Sequence, residues 1–348
     1  MSKCENKKMI KTKITEMFGI KYPILSAPMG PFYTTELTIA TSEAGGLGVL
    51  SHATLQGLNS ITDMKDQIDR VLEGTDKPFG VNVRTARLQT DHKIMLRKIA
   101  QWRKKDPKLR EQLIYGLTSA GGSSVASKLW KKLAPDIYHF HVAPALWLVD
   151  KVVAAGCDGI VATGTEGGGH QSYEKISTLV LVAQVAQKYP DTPLIACGGF
   201  ASPHGVASGL ALGADAIAMG TRFIASNQSE FHPNYKALIP PASASDTELT
   251  TGGFGPIRLL KNKFCLEHGK VVSKTEKLAQ EAAFSVDEYL EELRKYEIVY
   301  TEGDVDNGAV PVGQTVGLIS SYMDVDEIVA GFTKEAEKIL KNLCTTIS

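Results

Sequence analysis

Gly159-Ile160-Val161-Ala162-Thr163-Gly164-Thr165-Glu166-Gly167-Gly168-Gly169-His170 is the stretch on which the reading of this chain turns. An apolar run of strand length breaks into a glycine turn that delivers one imidazole. Three consecutive glycines strip the strand end of side chains, so the backbone can approach a flat or phosphorylated ligand with His170 held beside it. A single histidine after a glycine turn is, taken alone, more often a surface or capping residue. The pattern recurs twice downstream, however, in Ile195-Ala196-Cys197-Gly198-Gly199 and Ile217-Ala218-Met219-Gly220-Thr221-Arg222, so three successive runs end in loops suited to a ligand.

Working outward, short aliphatic runs alternate with helix-period segments as far as Phe223, the pattern of repeated βα units. Eight such runs begin at Ile24, Leu47, Phe79, Ile114, Ile137, Gly159, Leu194 and Ala216. Eight repeats predict an α/β fold closed into a TIM (β/α)8 barrel rather than an open sheet. Partner helices are predicted over Thr34–Ala44, Ser123–Leu133, Leu146–Ala155, Thr178–Lys188 and His204–Leu212, several ending on a glycine C-cap such as Gly45, Gly156 or Gly213. After Phe223 the pattern changes to a polar, Pro-rich stretch from Ser226 to Gly255, amphipathic helix over Ser273–Tyr296 and a last helix over Val325–Cys344. The expected organisation is a barrel over residues 1–225, completed by the C-terminal helix within 325–348, with 226–324 as a smaller helical cap over the barrel mouth. The segment Gly303 to Gln314 is too glycine-rich for an element and too apolar for a free linker, and is expected to pack back toward that mouth.

Bulk properties narrow the class of function. With 348 residues and 43% hydrophobic content the chain can bury a large core. Its 38 basic and 38 acidic residues balance, so no global field recruits nucleic acid or an acidic membrane; a small molecule is the expected partner. Five scattered cysteines without a CxxC pair argue against a disulfide framework or a zinc knuckle and suit a reducing cytoplasm. The lysine-rich start lacks an apolar signal core, and no run reaches the roughly 20 residues a membrane helix needs.

The chemistry follows from where the loops fall. In parallel barrels ligands sit at the C-terminal strand ends, and the loops after the seventh and eighth strands commonly hold phosphate. Gly198 and Gly199 present amides without Cβ atoms, Ser202-Pro203 starts a helix whose N-terminal dipole favours an anion, and Gly220-Thr221-Arg222 adds amides, a hydroxyl and a cation. After the first strand, Ala27-Pro28-Met29-Gly30 offers a small backbone-exposing shelf, and Asn82 after the third presents an amide that can bond a heterocycle edge. His139 and His141 share one side of a strand, but no carboxylate or third histidine accompanies them, so a packed barrel wall is expected and no metal.

Together, Ala27-Pro28-Met29, Gly45-Gly46-Leu47-Gly48, Pro78–Asn82, Glu166–His170, Cys197–Phe200, Met219–Phe223 and Gly303-Asp304-Val305-Asp306 through Gly313-Gln314 resemble the nitronate monooxygenase (2-nitropropane dioxygenase-like) family. That family includes flavin-dependent enoyl-acyl-carrier-protein reductases and some quinone reductases. The resemblance implies FMN held non-covalently in the barrel by Ala27, Pro28, Met29, Asn82, Thr163, Gly168, Gly198, Gly199, Ala218, Met219, Gly220 and Thr221, with His170 facing the ring as base or anion-stabilising residue. Thr163 stands where the family usually has Gln and Gly167 where it has Ala, departures that bear on substrate range more than on cofactor. Oxidation of alkyl nitronates or nitroalkanes with oxygen is the leading expectation, in a monomer or homodimer. Reduction of an enoyl thioester or quinone by NAD(P)H is the alternative, and a flavin-free phosphosugar or nucleotide barrel is the reading from another class.

Overall fold

Every one of the eight aliphatic runs becomes a strand. In a computed structural model that describes residues 10–52, 59–86, 89–252, 255–270, 272–283 and 285–346, these are β1 (Ile24–Ser26), β2 (Gly48–Leu50), β3 (Phe79–Arg84), β4 (Leu113–Ser119), β5 (Tyr138–Ala143) and β6 (Gly159–Thr163). A two-residue strand, β7 (Gly169–His170), then leaves the barrel before β8 (Leu194–Cys197) and β9 (Ala216–Met219). The parallel order is β1-β9-β8-β6-β5-β4-β3-β2. The circle closes through a parallel bridge between Leu25 and Leu47, where Leu47 N donates to Ile24 O at 3.0 Å. This is the TIM barrel that the repeat pattern predicts.

Strand alternation divides the apolar residues into two sets. Leu25, Val49, Leu117, Phe140, Val161 and Ile195 belong to a cluster filling the barrel. A short helix, Lys13–Phe18, leads into β1 and plugs the N-terminal end, with the Phe18 ring 5.0 Å from Tyr115 and 5.6 Å from Phe140. The opposite faces of the strands meet the outer helices: Val149, Val152, Leu181, Val182 and Val206 pack on Ile160, Ala162 and Ala196. Burial of each such aliphatic side chain contributes about 1.5–3 kcal/mol. The last helix, Phe332–Thr345, packs on the helix Pro203–Ala211, preceded by a π-helical turn over Glu327–Gly331 whose Ile328 and Val329 enter the same core.

Between β9 and that last helix the chain departs to build over the barrel mouth. Helices Lys274–Ala283 and Val286–Thr301 occupy the predicted amphipathic stretch, the second opened by a capping box in which Ser285 and Glu288 exchange bonds. The polar stretch before them holds something sequence reading did not anticipate, an antiparallel hairpin of β10 (Thr247–Gly252) and β11 (Gly255–Leu260). Strand β11 pairs in turn with β7, Ile257 opposite His170 and Arg258 opposite Gly169. The stretch after Gly303 does pack back on the barrel: Gly313 N donates to Thr221 Oγ1 at 2.9 Å and Gln314 N to Glu166 O at 2.9 Å. No helix among the described residues is long and apolar enough to cross a membrane.

Candidate active site

The C-terminal strand ends surround a cavity of about 630 Å³, and every residue that the family resemblance assigns to the cofactor or to catalysis lies on its wall. On one side the wall is mostly backbone. Ala27 N donates to Met219 O at 2.8 Å and Met29 N to Ser51 Oγ at 2.7 Å, which fixes the Ala27-Pro28-Met29 shelf against the end of β9. Asn82, 3% exposed, has its amide oriented by Ser119 Oγ at 3.1 Å and Leu117 O at 3.4 Å. Thr163 closes β6 beside the turn Gly167–Gly169.

The loops after β6, β8 and β9 nest on one another. Gly198 and Gly199 have φ of +84° and +88°, a left-handed pair that side-chain-bearing residues avoid. A Cβ on Gly198 would lie 2.9 Å from Gly164 O and 3.0 Å from Gly167 N, and one on Gly168 only 2.5 Å from the carbonyl carbon of Val312. The backbone is therefore bare here because nothing larger fits, and the result is a glycine-lined cradle. It comprises Gly198, Gly199, Gly220, the Thr221 hydroxyl, which accepts from Gly313 N and keeps its own proton to donate, and the nearby helix start that Ser202 caps through Gly205 N at 3.2 Å. Arg222, expected to add a cation to this turn, does not line the cavity. Its guanidinium donates to the carbonyls of Ala225 and Ser321 and is buried, which lowers its pKa to about 10, so it ties down the chain where the insertion begins.

The opposite wall is built of side chains. His170 is positioned by β7–β11 pairing, continued by Gln171 N donating to Pro256 O at 2.8 Å, and its ring lies nearly parallel to Tyr296, centroids 6.5 Å apart at 14°. Although His170 keeps partial exposure to the cavity, protein atoms enclose its ring. That desolvation, with the positive charge of Arg84 second, pushes its pKa down to about 3. The imidazole is neutral at neutral pH, with one donor and one acceptor nitrogen. The carboxylate in the same loop is not chemical but structural: Glu166 accepts from Thr178 N and Oγ1, both at 2.8 Å, and caps the helix Thr178–Lys188. The Cys197 thiol is held protonated, burial raising its pKa to about 11.

Sequence reading missed Arg84, Tyr296 and Tyr300, all on the cavity wall. Arg84 follows Asn82 by two residues in β3, and strand alternation places both on one face, a signal that was available. Tyr296 and Tyr300 are one helical turn apart, and the Tyr300 hydroxyl donates to Gly30 O at 3.2 Å, joining the cap helix to the β1 shelf. Burial raises the pKa of both phenols, so they serve as neutral hydroxyls. The His139–His141 pair sits away from the cavity in the barrel wall, both rings bonded to Thr118 Oγ1 (2.8 and 2.7 Å), and burial lowers them to about 3 and about 4. Among the described residues no group of His, Cys, Asp or Glu could hold a metal.

The comparisons with known proteins bear on the same ground. The structure is similar to that of FabK from Thermotoga maritima, at a TM-score of 0.81 and 31% identity over 97% of this chain and 100% of that one. It is also similar to a nitroalkane oxidase from Streptomyces ansochromogenes, at 0.73 and 27% identity over 94% and 99%. In sequence, a Mycobacterium tuberculosis protein described as "(3aS,4S,5R,7aS)-5-hydroxy-7a-methyl-1-oxo-octahydro-1H-indene-4-carboxyl-CoA dehydrogenase" is 32% identical over 73% of this chain and 67% of its own length. A probable nitronate monooxygenase of Staphylococcus aureus is 27% identical over 74% and 80%. The last three of these are oxidoreductases by name, and the family model described as nitronate monooxygenase matches residues 11–335. The chain, with its barrel, its glycine loops and its cavity-facing histidine, belongs to the nitronate monooxygenase family.

Proposed function

We propose that this protein is an FMN-dependent oxidoreductase that oxidises alkyl nitronates with oxygen. The observation that carries this reading is a neutral imidazole and a guanidinium, His170 and Arg84, on one wall of a cavity whose other wall is an anion cradle. The cradle fits a flavin phosphate: the Gly198 and Gly199 amides, the Thr221 hydroxyl and the helix start at Ser202 suit phosphate oxygens, and the space a Cβ would fill at Gly198 is already closed. The Ala27-Pro28-Met29 shelf and the Asn82 amide would hold the flat ring. Bound FMN supplies the electron acceptor.

The remaining work falls to the protein. Arg84 offsets the charge of an anionic substrate that would otherwise be held in a desolvated site. His170 can donate from its N–H to a nitronate oxygen, orienting the reacting carbon. An imidazole held near pKa 3 is a weak base toward a C–H bond, which favours a substrate arriving already ionised over the neutral nitroalkane. Oxygen consumption by the FMN-loaded protein tests this. Turnover with alkyl nitronates, slower with the parent nitroalkanes, is expected; no turnover beside brisk NAD(P)H consumption overturns it.

A second reading, NAD(P)H-dependent reduction of an enoyl thioester or quinone, draws support from the size of the cavity and from the likeness to FabK along 97% of the chain. Anaerobic mixing with NADH or NADPH separates the two, because flavin bleaching by either marks a reductive half-reaction.

A further inference from the structure

The glycines that clear room for a ligand also leave His170 at the end of weakly specified backbone, because glycine loses more conformational freedom on ordering than any other residue. Around Gly169, at φ +77°, no described residue comes within 4 Å of where a Cβ would lie, so packing does not brace the turn there. Pairing with β11 ties Gly169 and His170 to the hairpin. One side chain ties them to the cradle as well. Gln171, 7% exposed and on the cavity wall, reaches back past His170 and donates from Nε2 to Gly167 O at 2.8 Å. The acceptor is a carbonyl, so the amide nitrogen and not its oxygen must face it. The main-chain nitrogen of the same residue donates to Pro256 O in β11 at 2.8 Å.

Two observations set this bond apart from ordinary packing. Gly167 is not in the left-handed region, so its backbone would accept alanine. A Cβ there would instead meet Gln171 Nε2 at 3.1 Å, and Gly164 O and Gly198 Cα, each at 3.3 Å. The bare position is thus the seat of the Gln171 amide on one side and packs on the cradle on the other. The second observation is that Gln171 Oε1 is buried with no hydrogen-bond partner among the described residues, a cost of about 1–3 kcal/mol that an apolar side chain of equal length would avoid. Stability alone therefore does not account for an amide here. We propose that Gln171 is a positioning residue for His170, its amide seated against Gly167 so that the hairpin-borne imidazole keeps a fixed distance and orientation to the glycine cradle. The kinetic consequence rests on the nitronate reading, in which His170 orients the reacting carbon; the fixing of the turn does not.

The test compares the FMN-loaded protein with Gln171→Met, which keeps the length of the side chain and removes both the donor and the unpartnered oxygen. Tm should change little, since the lost bond and the relieved oxygen offset each other. Amide hydrogen exchange over residues 167–171 should quicken about tenfold, and the His170 ring-proton resonance should move. With an alkyl nitronate, kcat should fall about three- to tenfold, the worth of one hydrogen bond, with KM little altered. Gly167→Ala should act in the same direction by crowding the amide, and its effect should shrink in a Gln171→Ala background, where the crowded atom is gone. Unchanged exchange over 167–171 in Gln171→Met, or strict additivity of Gly167→Ala and Gln171→Ala, overturns the proposal. So does a lowered Tm with exchange quickened throughout the barrel, the mark of a merely structural role. Quickened exchange confined to the turn, in a protein that turns over no nitronate, upholds the positioning role and overturns the nitronate reading instead.

Discussion

The two walls of the cavity are made by different means. The cradle side is backbone, with Gly198 and Gly199 both left-handed and Gly198 packed against Gly164 and Gly167. The His170 side is made of side chains brought from distant parts of the chain: Arg84 from β3, Tyr296 and Tyr300 from the cap helix, and an imidazole fixed by a hairpin. On the proposed function, a ligand feature common to many chemistries, a phosphate, would meet the rigid backbone wall. The feature that defines the reaction would meet the wall that side-chain substitution can retune.

If that division is right, His170→Ala should lower nitronate turnover on the order of 10²–10³-fold while flavin absorbance is retained. Loss of flavin and activity together would mean that the walls are not separable. The reciprocal change is Gly198→Ala, which imposes left-handed strain of about 1–2 kcal/mol and a contact with Gly164 O. Flavin affinity measured by fluorescence should fall roughly tenfold or more, with turnover per bound flavin little altered. Arg84→Gln should raise the KM for a nitronate about tenfold. It should also lift the pKa of His170, followed by its ring-proton resonance, though not to the ordinary 6.5, because burial is the larger cause of the depression.

The mildest effect on either wall is expected from the barrel side. Thr118→Val strips His139 and His141 of their shared hydroxyl, and a loss of about 1–3 kcal/mol should appear as a lower Tm with flavin retention unchanged. The same pair gives a pH signature. Folded, they titrate at about 3 and about 4; unfolded, near 6.5. The unfolded chain therefore binds more protons between those limits, and stability should fall as pH drops from 6.5 toward 4, measurable by denaturant titration at several pH values.

The same contrast explains what could be read from sequence. The barrel was legible because each strand is a local aliphatic run, as in Ile160-Val161-Ala162 and Ile217-Ala218-Met219, and the cradle because glycine pairs mark backbone that must stay bare. The hairpin was not: Thr247-Glu248-Leu249-Thr250-Thr251-Gly252 has little apolar content, and its pairing through β11 with β7 is a long-range contact that local pattern does not encode. Arg222 misled for a related reason. Its neighbours Gly220 and Thr221 do face the cavity, but its own direction is set by the carbonyls of Ala225 and Ser321. Tyr296 and Tyr300 reach the cavity only because the cap folds over the barrel, a fact no window around them contains.

The three-stranded sheet β10-β11-β7 is an interlock. Two of its strands belong to the insertion and one to the barrel loop that carries His170, so the insertion cannot swing away without either breaking the backbone pairing at Ile257 and Arg258 or dragging the imidazole with it. The position of the imidazole is thus mechanically coupled to that of the insertion, and neither can be displaced alone while that pairing holds.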